Sequence, residues 1–340
     1  MNSRRNFLRL TGALAAVTVL NQSFTWQPTD FTKKTIKPAR LKKGDKVAIT
    51  SPAGAVWDEK QIEVFTKILE GFGFEVVLGK TTLKEKYGYF SGTDEARAKE
   101  LNDLFADKTI DGIFSMKGGW GCARLLDKLD YKTIENNPKV LIGFSDITTL
   151  LNAIYAKTGL VTFHGPVGNS GWNDFTSTAF KKVIMEGAAY EMPILDKTNF
   201  VCVNKGIAKG ELIGGNLTVL SGIVGSKFLP SFKNKILFLE EAKEEPYSID
   251  RMLTQLKLSG ALDEISGFVF GKCSKCDAEE PQKAFTFAEV IEQHIKPLGI
   301  PSITGAAFGH TENKLTLPIG VMAELNAEKG LLKLSEGAVY

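Results

Sequence analysis

Cysteine and histidine are scarce in this chain. Its 340 residues hold four cysteines, Cys122, Cys202, Cys273 and Cys276, and three histidines, His164, His294 and His310. Cys273 and Cys276 are spaced like metal ligands, but no second Cys/His pair stands at zinc spacing to complete a site, which argues against a zinc centre. In an exported protein the same pair reads as a disulfide, and the low cysteine total says that the fold does not depend on such cross-links. Long apolar runs are missing as well: residues 10–20 form a modestly apolar stretch that is too short for a membrane span. A real basic excess is also lacking, because residues 1–43 hold nine Lys/Arg against one Asp, while the remainder holds 33 against 38 Asp/Glu. A mildly acidic body without clustered Lys/Arg speaks against nucleic acid as a partner. Phosphate-binding signatures are absent too. There is no G-x-x-x-x-G-K-[ST], and Gly118-Gly-Trp-Gly121 is not the G-x-G-x-x-G fingerprint, so nucleotide binding is set aside.

What is present is a globular composition, 43% hydrophobic and 24% charged, long enough for two domains with a real core. Ser3-Arg-Arg-Asn-Phe-Leu8 followed by the short apolar stretch resembles a twin-arginine export signal, and residues 22–43, polar with Pro28 and Pro38, read as a linker. Residues 1–43 are therefore expected to be export signal and linker, with the protein acting in the periplasm.

From residue 44 strands and helices alternate. Apolar runs at 46–52, 74–78, 112–116, 139–144 and 160–166 read as strands, and the segments 59–72, 93–106 and 122–129 have helical spacing, with Thr93 or Asp94 as a cap. This predicts a doubly wound parallel α/β domain over residues 44–167, with its site at the carboxyl ends of the strands. Residues 168–200 read as a connection with a short helix at 175–186. Residues 201–340 read as a second domain of mixed β and α, with strands at 206–213, 235–239, 267–271 and within 321–334, and helices at 249–259 and 284–295.

Ser145 stands between the apolar strand and a helix, after a turn at Gly143. Such a position pushes Oγ out of the sheet edge and offers the unpaired N–H groups of the helix start to an oxyanion. The strict G-x-S-x-G pattern is not met, since Ile147 replaces the last Gly, and a Ser-Asp pair at a helix start also reads as a cap. The loop at 117–121 either supplies half of an oxyanion hole or is a tight structural turn. A serine needs a base and a group to orient it. His294 lies in an amphipathic helix and reads as solvated; His164 follows an apolar run and reads as a satisfied structural histidine. His310, in a glycine-preceded loop after a strand-like segment, is the favoured base. Glu240, at the exit of the apolar strand at 235–239, is held rigidly enough to orient an imidazole, whereas Glu241, Glu244 and Glu245 run into a solvated charge stretch. The order Ser, Glu, His matches one known triad order.

Together these segments resemble the LD-carboxypeptidase family, which includes microcin self-immunity peptidases. The resemblance rests on Ser51-Pro-Ala-Gly54, Phe90-Ser-Gly-Thr-Asp94 with Arg97, Gly118-Gly-Trp-Gly121, Gly143-Phe-Ser-Asp-Ile-Thr148, His164-Gly-Pro166, Gly214-Gly-Asn-Leu217, Leu237-Phe-Leu-Glu240 with Pro246-Tyr-Ser-Ile-Asp-Arg251, and Gly309-His310 with Leu317-Pro-Ile-Gly320. They occur in the family's order and cover about residues 44–335. The resemblance implies a flavodoxin-like N-terminal domain with a smaller mixed β/α C-terminal domain, usually as a homodimer, without metal or cofactor. It implies a serine peptidase that removes the terminal D-residue, D-Ala, from murein tetrapeptides. Ser145 matches the nucleophile, His310 the base and Glu240 its orienting carboxylate; the backbone N–H of Asp146 and that of Gly118 or Gly119 match the oxyanion hole. Trp120, which stands where Tyr is common, Tyr247 and Asn216 are the implied substrate contacts. Gly118-Gly-Trp-Gly121 and Pro246-Tyr-Ser-Ile-Asp-Arg251 look more like the murein branch than the microcin branch. Many family members act on cytosolic recycled peptides, whereas the N-terminal signal predicts action outside the inner membrane. The rival expectations are cleavage of microcin-like conjugates, a periplasmic solute-binding protein without turnover, and an esterase of the α/β-hydrolase type.

Overall fold

The computed structural model describes residues 34–83, 86–193 and 200–340. The expected export signal falls on residues 1–33, outside the described residues. Five strands of the N-terminal half are parallel: β1 (Lys46–Thr50), β2 (Glu75–Leu78), β3 (Gly112–Ser115), β4 (Val140–Gly143) and β5 (Thr162–His164). Their order 2-1-3-4-5 is the flavodoxin-like one, which reverses between β1 and β3 and opens a crevice at the carboxyl ends of those strands. Every residue of β3 and β4 is buried, as strands covered by helices on both faces must be. Helix α1 (Lys60–Gly71) covers one face with the stripe Ile62, Phe65 and Leu69. Helix α2 (Asp94–Ala106) starts where the Thr93 hydroxyl accepts from the Ala96 N–H. The helix expected at 122–129 is a tighter 3₁₀ segment, Cys122–Lys128, whose first N–H is drawn to the Asp146 carboxylate.

The remaining strands are β6 (Glu191–Pro193), β7 (Val201–Asn204), β8 (Ile207–Asn216), β9 (Ile236–Ala242), β10 (Gly267–Ser274), β11 (Ser302–Ala306), β12 (Leu317–Ile319), β13 (Met322–Asn326) and β14 (Leu331–Leu334). All but β12 form a second sheet in the order 6-14-13-8-9-10-11-7, parallel from β8 to β11 and antiparallel at both flanks. β12 instead extends the first sheet, antiparallel to β5, with Leu317 opposite His164. Its Pro318 fits there because an edge strand can spare one N–H. Most of the buried apolar residues form one continuous cluster through both halves.

Two stretches read as connections are packed into the body. Ile36 bridges to Leu160, Leu41 is buried, and the Arg40 N–H donates to the Tyr340 carbonyl. These apolar side chains are diluted by polar neighbours, so average composition conceals them. In the second stretch an α-helix, Asp174–Phe180, runs into a π-helical turn, Lys181–Glu186, and the rings of Trp172 and Phe180 pack on Phe72 at 5.7 and 5.0 Å. Among the described residues no helix is long and apolar enough to cross a membrane.

Candidate active site

β4 ends at Gly143, and two residues later Ser145 adopts φ +61°, a left-handed conformation rare for a residue with a side chain. A conformation of this kind costs about 1–3 kcal/mol and persists only where the surroundings enforce it. A 3₁₀ turn, Ser145–Ile147, then leads into helix α3 (Thr148–Thr158), and no side chain caps either start. The capping reading of the Ser-Asp pair therefore fails: the Asp146 carboxylate reaches away to accept the Cys122 N–H at 2.8 Å. Burial pushes that carboxyl above the usual range, against the pull of the Cys122 N–H.

The loop after β3 lies flush against this turn. A Cβ on Gly118 would stand 2.7 Å from the Cβ of Ser145, 2.8 Å from its Oγ and 3.4 Å from the Asp146 nitrogen, so only glycine fits beside the serine. The loop is held from the other side, where the Gly54 N–H donates to the Gly118 carbonyl at 3.3 Å and Lys117 Nζ to the Ala55 carbonyl at 3.1 Å.

Glu240 occupies β9 and is wholly buried. Its Oε2 accepts from both the backbone N–H of His310, at 3.1 Å, and the ring Nδ1, at 2.8 Å. This close approach requires Gly309, at φ +83°, where a Cβ would overlap the carboxylate. The carboxylate fixes the ring proton on Nδ1 and leaves Nε2 as the basic nitrogen. Burial opposes the charged form of each partner, but their hydrogen bond and mutual attraction outweigh it: Glu240 is held below the usual carboxylate range and His310 above the usual histidine value. The His310 ring stands edge-on to Phe144 at 4.9 Å, and the Ser274 hydroxyl donates to the His310 carbonyl.

Ser145 and His310 face one cavity of about 890 Å³, together with Gly118, Gly119 and Phe144. In this conformation no hydrogen bond joins Ser145 Oγ to the imidazole. The other expected residues stand elsewhere. Trp120 and Tyr247 are exposed, and neither is among the cavity walls. Asn216 is buried beside the carboxylates; its Oδ1 caps the helix Leu217–Ser221 by accepting from the Val219 N–H, and its Nδ2 donates to Glu241 at 3.1 Å.

Two histidines differ from their sequence readings. His164 is fully buried, but neither ring nitrogen has a partner among the described residues. It sits among Phe144, Phe238 and Phe308, and burial pushes it down to about 4, so it is neutral at pH 7. His294 is not solvated: its Nε2 is 2.7 Å from Asp250, because its helix, Phe287–His294, packs on the helix Pro246–Leu258. Cys273 and Cys276 form a disulfide in the segment that carries Ser274. Sequence reasoning passed over the cavity lysines Lys272, Lys275 and Lys314. The available signal was weak: Lys314 lies in the same loop as His310, and Lys272 and Lys275 immediately precede the two cysteines of the disulfide.

The comparisons with known proteins agree with this architecture. Residues 47–165 match the LD-carboxypeptidase N-terminal domain and residues 209–325 the LD-carboxypeptidase C-terminal domain. A probable murein peptide carboxypeptidase of Bacillus subtilis is 36% identical over 313 residues, covering 89% of this chain and 97% of that protein. Among solved structures, MccF in complex with glutamyl sulfamoyl guanosine superposes with a TM-score of 0.82 at 31% identity, over 89% of this chain and 99% of the other. The muramoyltetrapeptide carboxypeptidase of Oxalobacter formigenes does so with a TM-score of 0.76 at 29% identity, over 86% and 98%. With both domain models matched in order across most of the described chain, the protein belongs to the LD-carboxypeptidase family.

Proposed function

We propose that this protein is a serine LD-carboxypeptidase that releases the terminal D-Ala from murein tetrapeptides. The observation that carries the reading is the Glu240–His310 pair, bonded at 2.8 Å on the same cavity as a left-handed Ser145. Ser145 Oγ attacks the carbonyl of the L,D-peptide bond while His310 Nε2 takes its proton, and Glu240 stabilises the imidazolium that forms. The oxyanion is received by the backbone N–H of Asp146 and that of Gly118 or Gly119, which the packing of Gly118 on Ser145 holds together. His310 then protonates the departing amine of D-Ala. Water, activated by the same nitrogen, releases the peptide from the serine ester. Closure of the serine–imidazole gap belongs to substrate binding, since such bonds are often loose in free enzymes.

The same reading includes export to the periplasm and a homodimer, the latter to be checked by sedimentation; Trp120, one residue beyond the cavity wall, is retained as a rim contact. A second reading, cleavage of an aminoacyl conjugate, is favoured by the likeness to MccF. Mass spectrometry of products from a panel of tetrapeptides, pentapeptides and an aminoacyl sulfamoyl nucleoside separates the two. Loss of D-Ala from tetrapeptides alone is the expected result. Turnover of the conjugate alone rejects the murein reading, and binding without any turnover favours a solute-binding protein.

A further inference from the structure

The walls of the cavity are cationic: Lys117, Lys272, Lys275 and Lys314 stand against Glu312. These lysines are not equivalent. Lys272 and Lys275 are exposed, and Lys117 is anchored to the Ala55 carbonyl. Lys314 is 93% buried, being 7% exposed. Its ammonium donates to the Thr311 carbonyl and lies 5.8 Å from the ring centroid of Phe144, the residue before Ser145. An ammonium has further protons to donate, and no second acceptor for them is found among the described residues. The buried carboxylate that acts on it most, Glu240, is already bonded to His310. Burial accordingly pushes Lys314 below the usual lysine value, a shift that a bound anion would reverse. A buried cation with no carboxylate paired directly to it is costly for a fold, and such a group in a cleft is a candidate for holding an anion.

We propose that Lys314 Nζ binds the terminal carboxylate of the residue to be released, and thereby makes the enzyme an exopeptidase. The inference rests on the reading of Ser145 as nucleophile. The departing residue carries its carboxylate on the same α-carbon as the amine that His310 protonates, so in this reading the carboxylate faces the His310 loop. That loop is held in place: the Lys314 N–H donates to Thr176 Oγ1 at 3.1 Å, the Leu315 N–H to the Ala307 carbonyl at 2.7 Å, and the Thr311 N–H to the Gly309 carbonyl at 2.9 Å. Base and anchor are therefore fixed relative to each other, so a substrate seated on Lys314 presents its last peptide bond to His310. A chain that continued past this point would place an uncharged amide against the ammonium and lose the contact.

The test uses the full chain with Ser145→Ala to stop turnover, titrated calorimetrically with a murein tetrapeptide and with its C-terminal amide. The free acid should bind roughly ten- to a hundredfold more tightly, as a charge-assisted contact requires. Adding Lys314→Gln, which keeps a donor for the Thr311 carbonyl, or Lys314→Met should bring the two affinities within about twofold while amide binding stays put. No acid preference in the parent, an undiminished preference in both variants, or equal loss for acid and amide would each overturn the anchor. Thermal melts of the two variants identify any loss caused by unfolding. Failure of the wild-type enzyme to release D-Ala would instead reject the carboxypeptidase reading itself.

Discussion

His310 can act as a base only while Nε2 is free of a proton, and Glu240 makes that state harder to reach in acid. The pair raises the His310 value above the ordinary 6.5, so kcat/KM should rise with pH along a limb centred above 6.5. Glu240→Gln removes the charge that holds the imidazolium. Its limb should move to lower pH, and kcat should fall by roughly 10³- to 10⁴-fold, the scale seen when a triad carboxylate is neutralised. A pH–rate profile of both enzymes checks this, and superimposable limbs would contradict it. The meeting of Glu240 and His310 was foreshadowed by the apolar runs before them: Glu240 continues the run at 235–239 inside β9, and His310 follows β11. His164 and His294 were not legible in the sequence, because their surroundings come from distant segments: Phe308 and Leu317 for one, Asp250 for the other. Lys314 was hidden for a related reason, since its burial depends on how the loop folds back on Thr176.

At the scale of elements, the site is made by two loops that could not approach each other if Gly118 had a side chain. Its backbone is not in the left-handed region, so the penalty of Gly118→Ala comes from its Cβ pressing on the Cβ and Oγ of Ser145. We expect kcat to drop by at least about a hundredfold, comparable to losing one oxyanion donor, with a melting temperature close to that of the parent. Steady-state kinetics beside a thermal melt decide it, and a parental kcat would show that the loops have slack. The strands β1 to β5 and helices α1 to α3 were readable from periodicity because each has an apolar face of its own. β12 was not: Leu317-Pro-Ile319 is short and contains proline, and only the free edge of β5 makes it a strand. The sequence likewise gives no hint that residues 36–41 close against the body, because the partners of Ile36 and Arg40 are far along the chain.

At the scale of the whole molecule, the chain passes from β11 in the second sheet to β12 in the first, and the His310 loop is the link between them. That crossing brings His310 to the cavity that Ser145, two residues after β4, also lines. It also explains why the C-terminal half cannot be read as an independent module: its strand completes the N-terminal sheet, and one apolar core runs through both. The proposed export belongs to this scale as well. Replacing the paired arginines by Arg4→Lys with Arg5→Lys should shift the protein from the periplasmic to the cytoplasmic fraction, and an unchanged periplasmic share on fractionation would remove the twin-arginine reading. The central claim is that Ser145 forms and breaks the acyl bond. D-alanine release from a murein tetrapeptide, followed for the wild-type enzyme and for Ser145→Ala at equal concentration, tests it most directly. The account predicts steady release by the first and a loss of at least roughly 10³-fold in the second; release by Ser145→Ala at the wild-type rate would contradict it.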